Sequence, residues 1–150
     1  MELLNVDLYT DGACSGNPGE GGWGCVLICK NKEKQLSGYE ANTTNNRMEL
    51  LAVIEGIKAI KKKCNLTIYT DSAYVHNAFT QGWIENWLQN GFKNAQKKPV
   101  ANKELWLELL DLIANHNVNW VKVKGHTDNF YNNICDELAT GEIKKHKTKN

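Results

Sequence analysis

Two short segments of the 150-residue chain nearly repeat one another: Tyr9-Thr10-Asp11-Gly12-Ala13 and Tyr69-Thr70-Asp71-Ser72-Ala73. In each, an aspartate stands where a strand-like run gives way to a loop or a helix. A helical segment separates the two. The strands are therefore expected to run parallel and to bring both aspartates to carboxyl ends, where open α/β sheets carry their sites. One such aspartate is ordinarily a turn or helix cap; two in matching context point to a site. Glu49 and Asp136 say less when taken singly. Glu49 fits a capping carboxylate opposite Asn46. Asp136, in Ile134-Cys135-Asp136-Glu137-Leu138-Ala139, fits the first-turn acid that a helix dipole favours. His126, in Lys124-Gly125-His126, follows the last strand-like run in a loop, where a lone histidine is ordinarily a surface residue.

The elements that must position these groups follow from periodicity and turn signals. Residues 3–10 and 22–29 read as strands, and a third runs from Gln35 to about Tyr39. The glycine-rich stretch from Gly12 to Gly22 reads as a loop turned at Pro18-Gly19. In NNRMELLAVIEGIKAIKKK, residues Leu50, Val53, Ile54, Ile57 and Ile60 recur at helical spacing, with N-cap candidates between Thr43 and Asn46 and lysines in the last turn. Residues 66–70 form a strand, and a short helix follows Asp71. Another short helix spans Trp83 to Trp87 and leads into a polar loop ending at Pro99. Asn102 is expected to cap a helix striped by Leu105, Leu109, Leu112 and Ile113. Residues 118–123 make the last strand, and a final helix starts near Asn133, with the lysine-rich end from about residue 142 frayed. Hairpin strands first, then strands reached through helices, give an α/β domain over residues 1–150 with a mixed sheet and helices packed on it.

Composition sets the surroundings. Hydrophobic residues make up 41% and charged residues 23% of the chain, enough to bury a core without staples. No apolar stretch approaches a bilayer span, and MELLNVDLYTDG shows neither a basic leader nor a cleavage site, so a cytosolic protein is expected. Five cysteines (Cys14, Cys25, Cys29, Cys64 and Cys135) are odd in number and never spaced Cys-x-x-Cys, which argues for thiols and against a disulfide framework or structural zinc. The formal net charge is only +1, but lysines gather at 61–63, at Lys93, Lys97 and Lys98, at Lys122 and Lys124, and from Lys144 to Lys149. Such local basic surfaces can attract phosphates at near-zero total charge, although a single lysine run is ordinarily just a solvated face.

Four passages, YTDGACSGNPG, TTNNRMEL, YTDSAYV and KGH…NNICDELA, stand in this order along the chain. Together they resemble the cellular type 1 ribonucleases H, especially bacterial ones, over nearly the whole chain from about Asp7 to Gly141. The resemblance implies the ribonuclease H fold, an α/β architecture with a five-stranded mixed sheet flanked by helices. It implies a monomeric endonuclease that hydrolyses the RNA strand of RNA–DNA hybrids and leaves 5′-phosphate and 3′-hydroxyl ends. Residue for residue, it makes Asp11, Glu49, Asp71 and Asp136 metal-binding carboxylates, and His126 a mobile catalytic histidine that shuttles a proton or eases product release. Four carboxylates in one pocket repel and stay ionised only beside cations. Oxygen-only ligation suits Mg2+, with Mn2+ as substitute, rather than zinc. Two such ions about 3.5–4 Å apart clamp an in-line displacement, one activating a water and the other stabilising the departing 3′-oxygen, with Asp11 bridging both.

The same resemblance places Asn17, Thr44, Asn45 and Asn46 where relatives meet the hybrid in its minor groove or hold a phosphate. Amides and hydroxyls suit the 2′-hydroxyls exposed there, and turn or cap roles for the same residues stand beside that reading. The segment from Trp83 to Lys98 resembles a basic protrusion. Trp83 is expected at the substrate, with a core role open for it and for Trp87, while Lys93, Lys97 and Lys98 face the phosphates of the DNA strand. The chain departs from the family pattern at Gly82, which looks inserted, and at the neutral Leu88-Gln89-Asn90. It departs again at Ala73 and at Asp128 and Asn133 around the histidine. A non-catalytic hybrid-binding module, a polynucleotidyl transferase and a retroelement ribonuclease H domain are the competing readings. A binder has no use for four like charges, and the intact protrusion argues against the other two. A phosphate-loop protein is disfavoured, because no Gly-Lys-Ser/Thr follows the glycine-rich stretch.

Overall fold

A computed structural model describes residues 3–123 and 129–147 of the chain. It opens with a meander of three long strands: β1 (Asn5–Gly16), β2 (Gly19–Cys29) and β3 (Lys32–Thr43). Helix α1 (Asn45–Lys58) leads to β4 (Asn65–Thr70), and α2 (Ala73–Thr80), α3 (Trp83–Asn90) and α4 (Lys103–Ile113) lead to β5 (Asn117–Lys122). Helix α5 (Phe130–Lys147) follows. The five-stranded sheet has the order β3-β2-β1-β4-β5, antiparallel on the β3-β2-β1 side and parallel across β1-β4-β5. This is the mixed sheet that hairpins followed by helical crossovers dictate.

The expected loop from Gly12 to Gly22 is instead strand. β1 pairs with β2 down to Gly16 opposite Gly19, leaving Asn17-Pro18 as the turn, and β3 lengthens to match, with Thr43 opposite Gly19. Gly16, at φ 99°, and Gly19 flank that turn, whereas other glycines of the hairpin serve close packing against helices. A Cβ on Gly24 would meet the Cys135 carbonyl oxygen of α5 at 2.6 Å, and one on Gly12 would meet the Glu49 nitrogen of α1 at 2.5 Å. The two helices thus lie against opposite faces of the hairpin.

Thr44 caps α1, its side chain accepting from the Arg47 N–H at 3.2 Å. The apolar stripe through Leu50, Val53, Ile54 and Ile57 is buried against the sheet, and each such fully buried side chain contributes about 1.5–3 kcal/mol. The helix stops at Lys58, so the lysines at 61–63 follow it rather than form its last turn. Asn102 does precede α4, but in a left-handed conformation (φ 61°) and without capping by its side chain. Its Nδ2 donates to Tyr74 Oη at 3.3 Å, beside the buried Trp106, whose Nε1 donates to the same oxygen at 3.1 Å.

Helix α5 begins three residues earlier than expected, because Asn129 Oδ1 accepts from the Asn132 N–H at 2.9 Å. Nor does it fray from residue 142. Glu142 accepts from Ser37 Oγ at 2.7 Å, Ile143 is buried, and the His146 ring stacks on Tyr39 at 3.6 Å, so β3 clasps the helix to Lys147. Among the described residues all five cysteines are free, and no helix is long and apolar enough to cross a membrane.

Candidate active site

The parallel ladder between β1 and β4 pairs Tyr9 with Tyr69, and Thr10 Oγ1 donates to the Tyr69 carbonyl at 3.0 Å. Asp11 and Asp71 therefore emerge side by side. Past Asp71 the chain turns into α2, with Ser72 donating its N–H to Thr70 Oγ1 at 3.0 Å and capping the helix through the Val75 N–H. On the other side of β1, the bare α-carbon of Gly12 admits the first turns of α1 and lets Glu49 reach the same point. Carboxylate oxygens of Asp11, Glu49 and Asp71 lie within 4.8 Å of one another. Asp136 arrives from α5. It is exposed, and with Asp11, Asp71, Asn132 and Asn133 it lines a cavity of about 190 Å³.

Like charge and burial act together on this cluster. Burial first, then the charges of Asp71 and Asp136, push the Asp11 carboxyl up to about 8. Burial, followed by Asp11 and Asp71, holds the Glu49 carboxyl well above the usual carboxylate range. The Gly12 N–H partly offsets both effects, donating to Asp11 Oδ1 at 2.9 Å. No ion pair among the described residues involves any of the four acids. Glu49 Oε1 and Asp71 Oδ1 are buried without a hydrogen-bond donor among the described residues. An all-oxygen set with orphaned acceptors and no counter-charge among the described residues fits a hard divalent cation.

The other sequence-predicted residues fall into three places. Asn17, in the β1–β2 turn, accepts through Oδ1 from the Asn45 N–H at 3.4 Å, which sets it beside Thr44, Asn45 and Asn46 at the start of α1. Trp83 is half-buried in an aromatic cluster with Tyr74 and Trp87, the core role left open by its sequence. Lys93, Lys97 and Lys98 are exposed on the loop after α3, away from the acid cavity's lining. That loop is built by Asn94, whose Oδ1 accepts from the N–H groups of Gln96 (2.9 Å) and Lys98 (3.1 Å). Gly82 adopts φ 81° at the α2–α3 junction, a conformation that suits glycine there. His126 and Asp128 lie outside the described residues. The sequence reading missed Asn132, which is buried and lines the acid cavity. Its spacing of four residues from Asp136, one helical turn, was the available signal.

Strands that end in paired aspartates, completed by acids from helices on opposite faces of the sheet, define a class of α/β protein with a carboxylate centre astride two parallel strands. The chain belongs to the ribonuclease H family of nucleases, whose model matches residues 4–144. It is 59% identical over 145 residues to a ribonuclease H of Thermoanaerobacter sp. (strain X514), covering 97% of this chain and 94% of that one. It is 57% identical over 147 residues to that of Acetivibrio thermocellus, covering 98% and 100% respectively. Among solved structures, LC9-RNase H1, a type 1 RNase H with the type 2 active-site motif, superposes with a TM-score of 0.84 at 30% identity, over 94% of this chain and 72% of the other. The foamy viral protease-reverse transcriptase in complex with RNA/DNA hybrid gives a TM-score of 0.76 at 25% identity, over 93% of this chain and 20% of that one.

Proposed function

We propose that the chain is an endonuclease that hydrolyses the RNA strand of RNA–DNA hybrids, leaving 5′-phosphate and 3′-hydroxyl ends. Asp11, Glu49, Asp71 and Asp136 hold two divalent cations, Mg2+ foremost, with Mn2+ as substitute. The observation that carries this reading is the cluster of Asp11, Glu49 and Asp71, with orphaned oxygens and no basic partner among the described residues. A protein that only grips phosphates gains nothing from like charges held this close. When bound, the cations supply the activation of the attacking water and the neutralisation of the leaving 3′-oxygen.

The chain's own groups do the rest. Asp11 feels the charges of Asp71 and Asp136 and lies in the same oxygen cluster as Glu49, so it is the acid that would be shared within the site. The Gly12 N–H fixes its carboxylate. Asn17, Thr44, Asn45 and Asn46 offer amides and a hydroxyl on the ridge beside Glu49, where 2′-hydroxyls of a minor groove can be read. The hybrid held by the foamy viral relative supports that substrate class. Lys93, Lys97 and Lys98 meet backbone phosphates farther out, with Trp83 bracing the segment that carries them. His126 moves a proton or eases product departure. All these groups come from one chain, so the reading requires only a monomer.

End-labelled RNA–DNA hybrid, single-stranded RNA and duplex RNA, each with and without Mg2+, test the proposal. Cutting confined to the RNA of the hybrid, requiring the cation and lost in Asp71→Asn, is the expected result. Equal cutting of duplex RNA, or full activity in a chelator, refutes it.

A further inference from the structure

Asn132 is 5% exposed, and its side-chain Oδ1 is buried with no hydrogen-bond donor among the described residues. It also lines the cavity shared by Asp11, Asp71 and Asp136. Its carbonyl oxygen gains nothing from the carboxylates of that cavity, since each of them is an acceptor when ionised. Nor does the start of α5 need this side chain, because the helix is capped by Asn129 Oδ1 accepting from the Asn132 backbone N–H. Asn132 and Asp136 are one turn apart on α5 and so project toward the same point.

We infer that Asn132 is a fifth oxygen donor of the cation site, its side-chain carbonyl turned toward the ion held by Asp11, Asp71 and Asp136; this rests on the cation-site reading above. An amide oxygen is a usual donor to hard divalent ions, either directly or through the water such ions retain. Its neutrality is an advantage here. It completes the oxygen set without adding another negative charge to a cluster already strained by three. Asn132 is thus a neutral donor, which tunes cation affinity on the α5 side of the site.

The test is titration of the metal-free full chain with MgCl2 by calorimetry, at a pH where Asp11 is ionised. Asn132→Ala should weaken binding about 10–100-fold, the usual effect of losing a supporting contact around a metal. Its unfolding in urea without metal should match the parent's. Asn132→Asp, which keeps the acceptor and adds charge, should bind Mg2+ at least as tightly as the parent while losing metal-free stability. Opposite effects of the two substitutions on affinity distinguish a donor from a packing residue. Parent-like affinity in Asn132→Ala overturns the inference, as does equal weakening in both variants. If the alanine variant fails to fold, Asn132→Asp decides alone, and weakened binding overturns the inference. Asp11→Asn separates the two levels of the argument. Abolished binding there, with parent-like binding in Asn132→Ala, leaves the carboxylate site standing and removes only Asn132 from it. Parent-like binding in both removes both.

Discussion

The α-carbon of Gly12 and the peptide nitrogen of Glu49 meet so closely that a methyl group on Gly12 would stand 2.5 Å from that nitrogen. Strand and helix are in backbone contact at the point where each delivers an acid. The distance between Asp11 and Glu49 is therefore set by main chain, which yields far less than side chains do.

Gly12→Ala should push α1 off β1. Overpacking of this kind typically costs about 1–3 kcal/mol, readable as a lower urea midpoint. Activity should fall further than stability, because a displacement of ~1 Å in a catalytic group can cost ~100-fold in rate. Hybrid cleavage by the folded fraction checks this; an unchanged rate would mean that Glu49 tolerates the shift.

The metal-free protein should lose stability as pH rises. Asp11 and Glu49 have folded-state pKa values above their ordinary ones, so over this range the folded chain binds more protons than the unfolded chain. Their contribution is intact below the ordinary carboxylate pKa. It declines as pH climbs, and the Asp11 share levels off beyond about 8, where that carboxyl ionises in the folded state. Urea titrations across this window in a chelator should show the decline, and Mg2+ should reverse it with release of protons. Asp11→Asn should flatten the slope, raise metal-free stability and lower the cleavage rate by roughly two orders of magnitude or more.

Thr44 carries a helix cap and a proposed substrate contact, and two substitutions separate them. Thr44→Ser keeps the hydroxyl that accepts from Arg47, so stability should hold. Thr44→Ala should cost about 0.5–2 kcal/mol. If the hydroxyl also meets the hybrid, KM should rise in the alanine variant at temperatures where it is fully folded, and stay near the parent's in the serine variant.

Lys97 and Lys98 are exposed on the loop that Asn94 shapes. If each neutralises a phosphate, replacing both with alanine should reduce the slope of log K against log salt by about 0.7–0.9 per contact. KM should rise with kcat almost unchanged, because binding common to ground and transition states is lost. Asn94→Ala, which removes the loop's organiser but no charge, should raise KM less and leave the salt slope nearly as it was. A salt titration of hybrid binding in Ca2+ measures both.

Much of this architecture could be read from residue order because local and tertiary signals agreed. The stripe from Leu50 to Ile57 made α1 visible, and the twin Tyr-Thr-Asp segments marked two parallel strand ends before any contact was known. The misreadings occurred where a residue served a distant neighbour. Gly12, Gly21 and Gly22 looked like turn residues, yet they make room for α1 and α5, elements far away in sequence. Asn102 looked like a cap, yet its amide is used by Tyr74. The end of α5 looked too charged to hold, but Ser37 and Tyr39 on β3 secure it. Asn132 gave only its spacing from Asp136 as a cue, since the folded cavity alone shows that its oxygen lacks a donor among the described residues.

The placement of the acids along the chain has a bearing on synthesis. Asp11, Glu49 and Asp71 all leave the ribosome well before α5, the last described element, which must then lie back across β1 and β2 to add Asp136. Until it does, the nascent chain exposes the glycine-lined face meant for α5 and carries an unfinished acidic centre. If the proposed four-acid site does the cutting, the partial chain is chemically silent toward RNA–DNA hybrids. On that reading, the ability to cut switches on with the docking of one helix.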